Sequence, residues 1–89
     1  MDVLFSTTFK KQYKKTTSSI KNSFQIKLNI FIQDKNNYQL RSHSLKGEFK
    51  GLKSINITGD WRALYKEAIE NDQVIITFVL LGTHSQLYK

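Results

Sequence analysis

The sequence predicts an α+β domain in which two N-terminal helices cover one face of an antiparallel sheet. Three observations point to this class. The 89 residues, without an internal repeat or a linker, suit a single domain over residues 1–89 with a thin core. Apolar residues recur at helical spacing before residue 34, and three β-type runs joined by short turns follow residue 51. Helices followed by strands, rather than a regular alternation of the two, favour α+β over α/β.

The N-terminal run VLFS predicts a short strand, because it is apolar and rich in β-type residues. A helix should follow, with Thr7 and Thr8 as candidate N-caps and with Phe9 and Tyr13 one turn apart on the same face. The sequence KKTTSS comes next and favours caps and turns, so we expect this helix to end there.

The next segment, residues 20–35, has a spacing that fits both a helix and a strand. A helix would place five apolar residues on one face: Ile20, Phe24, Leu28, Phe31 and Ile32. A strand would alternate a different five: Phe24, Ile26, Leu28, Ile30 and Ile32. The segment is longer than a usual strand, and only the helical face accounts for Ile20 and Phe31, so a helix is favoured.

The second half of the chain predicts a loop followed by a three-stranded antiparallel meander. Residues 34–51 are polar, contain two glycines and have no sustained period, which is typical of an irregular loop. Strands are predicted at 52–58, 61–69 and 73–82, because each run is β-type and a polar turn separates it from the next. The last run is apolar on both faces, which favours a place inside the sheet.

The net charge of +7 comes from the first part of the chain and favours a polyanionic partner. Residues 1–53 hold 11 lysines and arginines against three acidic residues, whereas residues 54–89 hold three against four. A basic surface attracts nucleic acid or an acidic protein by charge neutralisation and steering. A solvated, lysine-rich surface that maintains solubility accounts for the charge equally well.

The composition also restricts compartment and cofactors. The chain has no cysteine and only two histidines, which excludes disulfides and argues against a structural metal site. The N-terminus lacks a basic segment followed by a sustained apolar one, and no apolar run approaches 18 residues. We therefore expect a cytoplasmic protein with no membrane segment and with no metal or other cofactor.

Two short motifs place side chains of catalytic type near strand ends. GDWR puts Asp60 and Arg62 two residues apart, on one face of a strand, with Trp61 between them. GTHSQLY follows the last strand and puts His84 and Tyr88 one helical turn apart. Structural explanations exist as well: a turn aspartate beside a core tryptophan, and a packed tyrosine beside a capping histidine.

The basic loop RSHSLKGEFKG adds His43 together with Lys46, Lys50 and Lys53, although a solvated loop would have the same composition. No metal-binding HExxH motif, serine elbow or glycine-rich phosphate loop is present. One reaction suits imidazole, carboxylate, guanidinium and phenol on a basic surface: cleavage of RNA by its own 2′-hydroxyl. A base removes the 2′ proton, an acid protonates the 5′ oxygen, and cations stabilise the phosphate.

Four motifs in a fixed order give the chain a family resemblance. They are His43-Ser-Leu-Lys-Gly47, Gly51, Gly59-Asp-Trp-Arg62 with Leu64-Tyr65, and Gly82-Thr-His-Ser85 with Leu87-Tyr88. In this order and spacing the chain resembles the RelE/ParE superfamily of type II toxin–antitoxin toxins, and within it the YafQ-like messenger RNA interferases. The resemblance implies two N-terminal helices packed on a curved antiparallel sheet of about four strands, with a helix over residues 20–33.

The resemblance also implies an activity and partners. Toxins of this kind are ribosome-dependent endoribonucleases that cleave translated mRNA through the 2′-hydroxyl without a metal, and a cognate antitoxin holds them inactive. The expected partners are therefore an antitoxin protein, mRNA, and the ribosome with its rRNA. A ParE-like gyrase inhibitor and a catalytically degenerate, antitoxin-binding relative are the alternatives.

Roles for single residues follow from the same resemblance. His84 is the foremost proton-transfer residue, Asp60 orients or shares that transfer, and His43 assists at the edge of the site. Arg62 contacts the scissile phosphate, and Tyr88 stacks on a base or positions the 2′-hydroxyl. The expected RNA contacts come from the pocket wall and the basic loop: Trp61, Lys46, Lys50 and Lys53.

The chain departs from the family pattern at two positions. Asn56 lies where YafQ-like toxins usually have a histidine, and an amide cannot exchange protons. Leu80 lies where they carry an arginine, a charge that Arg62 could supply instead. These two residues are the reason to keep the catalytically degenerate relative as an alternative.

Overall fold

The computed structural model describes residues 1–88 and shows an α+β fold, as predicted. The elements in chain order are β1 (Asp2–Phe5), α1 (Thr7–Lys14), α2 (Ser18–Gln33), β2 (His43–Ser44), β3 (Lys53–Asn56), β4 (Trp61–Glu70), β5 (Gln73–Thr83) and α3 (His84–Leu87). Single 3-10 turns occupy Tyr38–Leu40 and Gly47–Phe49. None of the helices in this range is long and apolar enough to cross a lipid bilayer.

The strands form one sheet in the order β1-β5-β4-β3-β2. The meander β3-β4-β5 is antiparallel, as predicted, and β5 lies inside the sheet. The expected sheet of about four strands has five, because the two-residue β2 joins it, and it is not wholly antiparallel, because β1 runs parallel to β5. The parallel pairing is possible because nearly the whole chain connects β1 to β5, and a parallel pair needs such a long crossover.

The two N-terminal helices begin at hydroxyl N-caps. Ser6 Oγ accepts a hydrogen bond from the Phe9 amide at 3.0 Å, so the cap of α1 lies one residue before the predicted Thr7 and Thr8. The same hydroxyl donates to the Val79 carbonyl at 3.1 Å, which a threonine inside the first turn could not do, and this bond ties α1 to β5. Thr17 caps α2 in the same manner.

The ambiguous segment is a helix, and its buried residues are the ones that the helical spacing places on one face. Phe24, Leu28 and Phe31 of α2 are buried, whereas Ile26 is 61% exposed. Ile32 was expected on the buried face and is 53% exposed, because the face of α2 that contacts the sheet is narrower than the apolar stripe.

The core lies between the helices and one face of the sheet. Aromatic rings dominate it, with centroids 5.3 to 5.8 Å apart among Phe9, Phe24 and Phe78. Tilted and edge-to-face pairs of this kind add about 0.5–1.5 kcal/mol each to the free energy of burial. The two N-terminal helices cover this face alone, whereas on the other face Ser54 and Leu64 are buried and Asn56 and Arg62, further along, are only partly buried.

A bulge between β4 and β5 keeps the two faces distinct. Leu64 pairs with Leu80 and Tyr65 pairs with Phe78, so Val79 is the extra residue. An insertion of one residue changes which side chains share a face. As a result Phe78 and Leu81 both belong to the core although they are three residues apart. After the bulge, the side chains of β5 alternate between the two faces again.

Candidate active site

The face of the sheet that the helices leave uncovered carries a cleft at the end of β3, β4 and β5. Asn56 pairs with Arg62, and Arg62 pairs with Gly82, so these three positions form a row across the sheet. The cleft has a volume of about 460 Å³ and is lined by Arg41, His43, Leu45, Asn56, Arg62, His84 and Tyr88. The lining that residues 1–88 provide contains two guanidinium groups and two imidazoles and no carboxylate, so it suits a polyanion.

The short helix α3 positions His84 because the end of β5 is held firmly. Thr83 caps α3 and Gln86 completes a reciprocal capping box, with hydrogen bonds of 3.2 and 2.9 Å. The amide of His84 also donates to the carbonyl of Asp60 at 2.8 Å, which fixes α3 to the turn before β4. The structure therefore has the single helical turn that would place His84 and Tyr88 on one face, although it lies where chains often fray.

Arg62 is fixed by backbone carbonyls of the turn that precedes β4. Its Nη1 donates to the carbonyls of Thr58, Gly59 and Trp61 at 3.1, 3.2 and 3.0 Å. Within residues 1–88 the guanidinium makes its hydrogen bonds through Nη1 alone, and no carboxylate lies within ion-pair distance of it. The edge formed by Nε and Nη2 is therefore left for a phosphate, which such an edge binds through two parallel hydrogen bonds.

His43 comes to the cleft on β2, opposite Ser54 of β3. Its Nδ1 lies 3.1 Å from the carbonyl oxygen of Arg41. Since a carbonyl can only accept, Nδ1 is the protonated nitrogen, and neutral His43 has its lone pair on Nε2. This tautomer allows Nε2 to act as a proton acceptor.

His84 and Tyr88 are brought together as the predicted spacing requires. Their ring centroids lie 4.7 Å apart with a tilt of 59°, and Tyr88 also makes an edge contact with Phe49, 5.9 Å away. His84 is exposed, whereas the Tyr88 hydroxyl is buried without a hydrogen-bond partner among the described residues. Tyr88 therefore presents its ring to the cleft and to His84, and its hydroxyl points away from solvent.

Arg41 is a cleft residue that the sequence reasoning missed. It ends the 3-10 turn Tyr38–Leu40 in a left-handed conformation, with φ 49° and ψ 42°. Strand alternation could not have revealed it, because that rule holds for extended backbone and Arg41 is left-handed. The guanidinium adds a second positive charge to the lining of the cleft.

Asp60 and Trp61 do not line the cleft. Asp60 lies in the turn before β4 rather than in the strand, so it does not share a strand face with Arg62 as expected. Its carbonyl, not its carboxylate, contacts α3. Trp61 follows the alternation of β4 to the opposite face, where it packs against the core beside Leu81 and Gln12.

The three lysines of the basic loop lie outside the cleft. Lys46 and Lys50 are exposed on either side of the turn Gly47–Phe49. Lys53 is directed to Glu67, with Nζ 3.7 Å from Oε1, and Lys35 approaches the same oxygen at 2.8 Å. The hydrogen bond from Lys35 is the main reason that the pKa of Glu67 is lowered, while burial opposes the shift and the charges of both lysines add to it.

The two departures from the family pattern occupy different environments. Asn56 lines the cleft directly across from Arg62, so its amide can contact a ligand. Leu80 is half-buried opposite Leu64 and is not part of the lining. No group of three or more His, Cys, Asp or Glu side chains comes together within residues 1–88.

Comparison with known proteins gives a family. The family model described as a bacterial toxin of type II toxin–antitoxin system, YafQ, matches residues 1–89. Among curated proteins, no sequence matches the chain.

Solved structures with the same fold include toxins of type II systems. YafQ from E. coli strain BL21(DE3) superposes with a TM-score of 0.78 at 21% identity, covering 99% of this chain and 98% of that one. A YoeB/ParE toxin from Agrobacterium tumefaciens gives 0.75 at 15% identity, covering 94% and 99%. A RelB–RelE antitoxin–toxin complex from Methanococcus jannaschii gives 0.68 at 20% identity, covering 96% and 94%. The predicted RelE-like fold is thereby confirmed.

Proposed function

The chain belongs to the YafQ family of type II toxin–antitoxin toxins, and from that premise we propose that it is an endoribonuclease that cleaves translated mRNA on the ribosome. The cleft supports this proposal because it combines two guanidinium groups with two imidazoles. Guanidinium groups neutralise a phosphate, and imidazoles transfer protons near neutral pH. The same set suits RNA, which carries its own nucleophile beside each phosphate.

The proposed reaction is an internal transfer at phosphorus that needs no metal. His43 Nε2 takes the proton of the 2′-hydroxyl, and the 2′ oxygen attacks the adjacent phosphorus. The bond from phosphorus to the 5′ oxygen breaks while His84, in its protonated form, gives that oxygen a proton. The products are a 2′,3′-cyclic phosphate and a 5′-hydroxyl, so atoms and charges balance. Before the next turnover, His43 has to release its proton to water and His84 has to take one up.

The attachment of Arg62 to three backbone carbonyls is the observation that supports this proposal most strongly. A guanidinium that is already oriented loses little entropy when it binds the phosphate and stabilises the charge that grows in the transition state. Arg62 and Arg41 also bring two positive charges to the cleft, and we infer that these take the place of the arginine that Leu80 replaces.

Partners follow from the family and from the charge. We infer a cognate antitoxin that holds the toxin inactive, in agreement with the solved RelB–RelE complex of a structurally similar toxin. The excess of lysine over acidic residues in the first 53 residues would serve contacts with ribosomal and messenger RNA and with an acidic antitoxin segment. This activity implies a cytoplasmic location.

Controlled expression in a bacterial host tests the proposal. The wild-type chain should stop growth and leave cleaved messages, while Arg62→Ala and His84→Ala should each lower cleavage by about a hundredfold or more, the usual loss when one transition-state donor is removed. Lys66→Ala, an exposed residue of β4 outside the cleft, is the control and should remain toxic. Growth arrest with intact messages and inhibited gyrase would overturn the proposal in favour of a ParE-like activity.

A further inference from the structure

A second cavity lies beside the cleft and shares part of its wall. Its volume is about 270 Å³, and it is formed by the segment between α2 and β2 together with Lys53 of β3. Arg41 and His43 line both cavities. Because the two cavities meet at these side chains, a ligand that fills the cleft can extend into the second cavity along the surface.

The segment that forms the second cavity is anchored to the core at alternate residues. Leu40 is fully buried, and Ser42 Oγ lies 3.1 Å from the hydroxyl of Tyr65. Arg41 lies between these anchors and has a left-handed backbone. Such a conformation costs a residue other than glycine about 1 kcal/mol or more, and it persists here because the residues on both sides are fixed. The anchors therefore place the backbone of Arg41 at the junction of the two cavities, and its side chain lines both.

Tyr38 gives the second cavity an exposed aromatic wall. It is 83% exposed, more than any other large apolar side chain among the described residues. Within residues 1–88 its ring makes no aromatic or cation–π contact, although most of the other aromatic rings do. Around it the cavity presents amide, hydroxyl and ammonium groups, which can contact the polar edge of a base or a ribose.

We propose that the second cavity binds the nucleotide next to the scissile phosphate, with its base stacked on Tyr38 and the linking phosphate held by Arg41. The inference rests on the proposed function, because it takes RNA as the ligand of the cleft. Neither cavity has a carboxylate in the lining that the structure describes, so both accept a continuous polyanion. An exposed aromatic ring beside a cationic groove is the arrangement that recognises single-stranded nucleic acid.

Binding of short, uncleavable oligonucleotides to the full-length protein tests this inference. The ligands are 2′-O-methyl adenylates of one, two and three nucleotides with a 5′ phosphate, and backbone amide shifts report where they bind. The second nucleotide should raise the affinity about 5- to 150-fold, the range for one base stacked on an aromatic ring. Tyr38→Ala should remove this gain and Tyr38→Phe should keep it. Arg41→Ala should weaken the dinucleotide more than the mononucleotide.

Ile26→Ala is the matched control, because Ile26 is also a largely exposed apolar residue and lies on α2 away from both cavities. One outcome is that the affinity of the wild type and of Tyr38→Ala rises by the same factor with each added nucleotide while both proteins still bind in the cleft. In that case the second cavity is not a nucleotide site, and the proposed function stands. If no ligand shifts the amides of Arg62 or His84, the proposed function fails and the inference fails with it. Tripolyphosphate has no base that could stack on Tyr38. If Tyr38→Ala weakens the binding of tripolyphosphate as much as it weakens the binding of the dinucleotide, stacking is also excluded.

Discussion

Arg62 and His43 obtain their orientation from backbone carbonyl groups rather than from other side chains. The carbonyls of the turn before β4 hold one edge of the guanidinium, and the Arg41 carbonyl selects the tautomer of His43. Backbone carbonyls are present whatever the sequence, so no motif reveals such bonds. The sequence could therefore nominate Arg62 and His43 by residue type, but only the structure shows which of their nitrogens are free.

Tyr88 offers a test that separates its ring from its hydroxyl. Tyr88→Phe should retain cleavage within about twofold, because the hydroxyl is buried without a partner in the described structure. The variant should be at least as stable as the wild type, since a buried unpaired hydroxyl costs about 1–3 kcal/mol. Tyr88→Ala should lower cleavage about tenfold to a hundredfold, because His84 loses the ring that supports it. Cleavage assays and thermal unfolding measure both effects.

A large loss of cleavage in Tyr88→Phe, with the fold intact, would show instead that the phenol takes part in the reaction.

A conservative replacement also separates two roles of Asp60. Its carbonyl fixes α3 and would survive replacement of the side chain, so a loss of cleavage in Asp60→Asn would show that the carboxylate acts in the reaction.

Strand alternation explains which of the predicted site residues meet. Asn56 and Arg62 lie on one face because they are paired across β3 and β4, and Trp61 lies on the other because it is the neighbour of Arg62. These positions could be predicted once the start of β4 was known. The prediction failed for Asp60 because strand alternation was applied to a residue that lies before Trp61, the first residue of both the predicted and the observed strand.

At the level of elements, α3 lies so close to Gly82 that a side chain there would crowd it. A Cβ on Gly82 would lie 3.1 Å from Gln86 Oε1 and 3.3 Å from Leu87 Cγ. Gln86 Oε1 is the acceptor that completes the capping box of α3. Gly82→Ala should therefore displace α3. The free energy of unfolding should fall by about 1 kcal/mol, the typical contribution of a helix cap. The rate of cleavage should fall by a larger fraction than the stability does.

Gly59→Ala is the matched control for this change. A Cβ on Gly59 meets nothing within 4 Å, and the carbonyl that accepts from Arg62 remains. This variant should keep both stability and cleavage. Equal cleavage in the Gly82→Ala and Gly59→Ala proteins would contradict the role of α3 in positioning His84.

The ion pairs of Glu67 join the loop after α2 to the sheet, and they predict a pH dependence of stability. The pKa of Glu67 is lower in the folded protein than its ordinary value of about 4.5. The pairs therefore stabilise the fold above that pH, and this contribution is lost as the pH falls through the folded pKa. Glu67→Gln should lower the free energy of unfolding at pH 7 by about 0.2–1 kcal/mol, the usual range for a partly exposed pair.

Urea unfolding at pH 7 and at a series of acidic pH values below 4.5 measures this effect, because the contribution of the pairs is lost as the pH falls through the lowered pKa of Glu67. The difference between wild type and Glu67→Gln should shrink as the pH falls. Glu70→Gln, at the exposed end of β4, is the control and should show no such trend. A difference that is the same at all of these pH values would mean that the packing of the side chain, not its charge, stabilises the fold.

At the level of the whole molecule, the sheet separates stability from function. One face holds the aromatic core under α1 and α2, and the other holds the cleft. The sequence predicted the helices, the meander and the basic first half, because these depend on local spacing and composition. It did not predict the parallel pairing of β1 with β5 or the position of Arg41, because the first depends on a contact across more than 70 residues and the second on one left-handed residue.

The chemistry of the cleaved ends tests the central proposal most directly. Messages are collected after brief expression of the wild-type chain, and their new 5′ ends are mapped and tested for phosphate. Attack by the 2′-hydroxyl predicts 5′-hydroxyl ends that cluster at fixed positions within codons of translated reading frames, and their loss in His84→Ala. New ends that carry a 5′ phosphate, or ends that do not depend on translation, would contradict the proposed reaction.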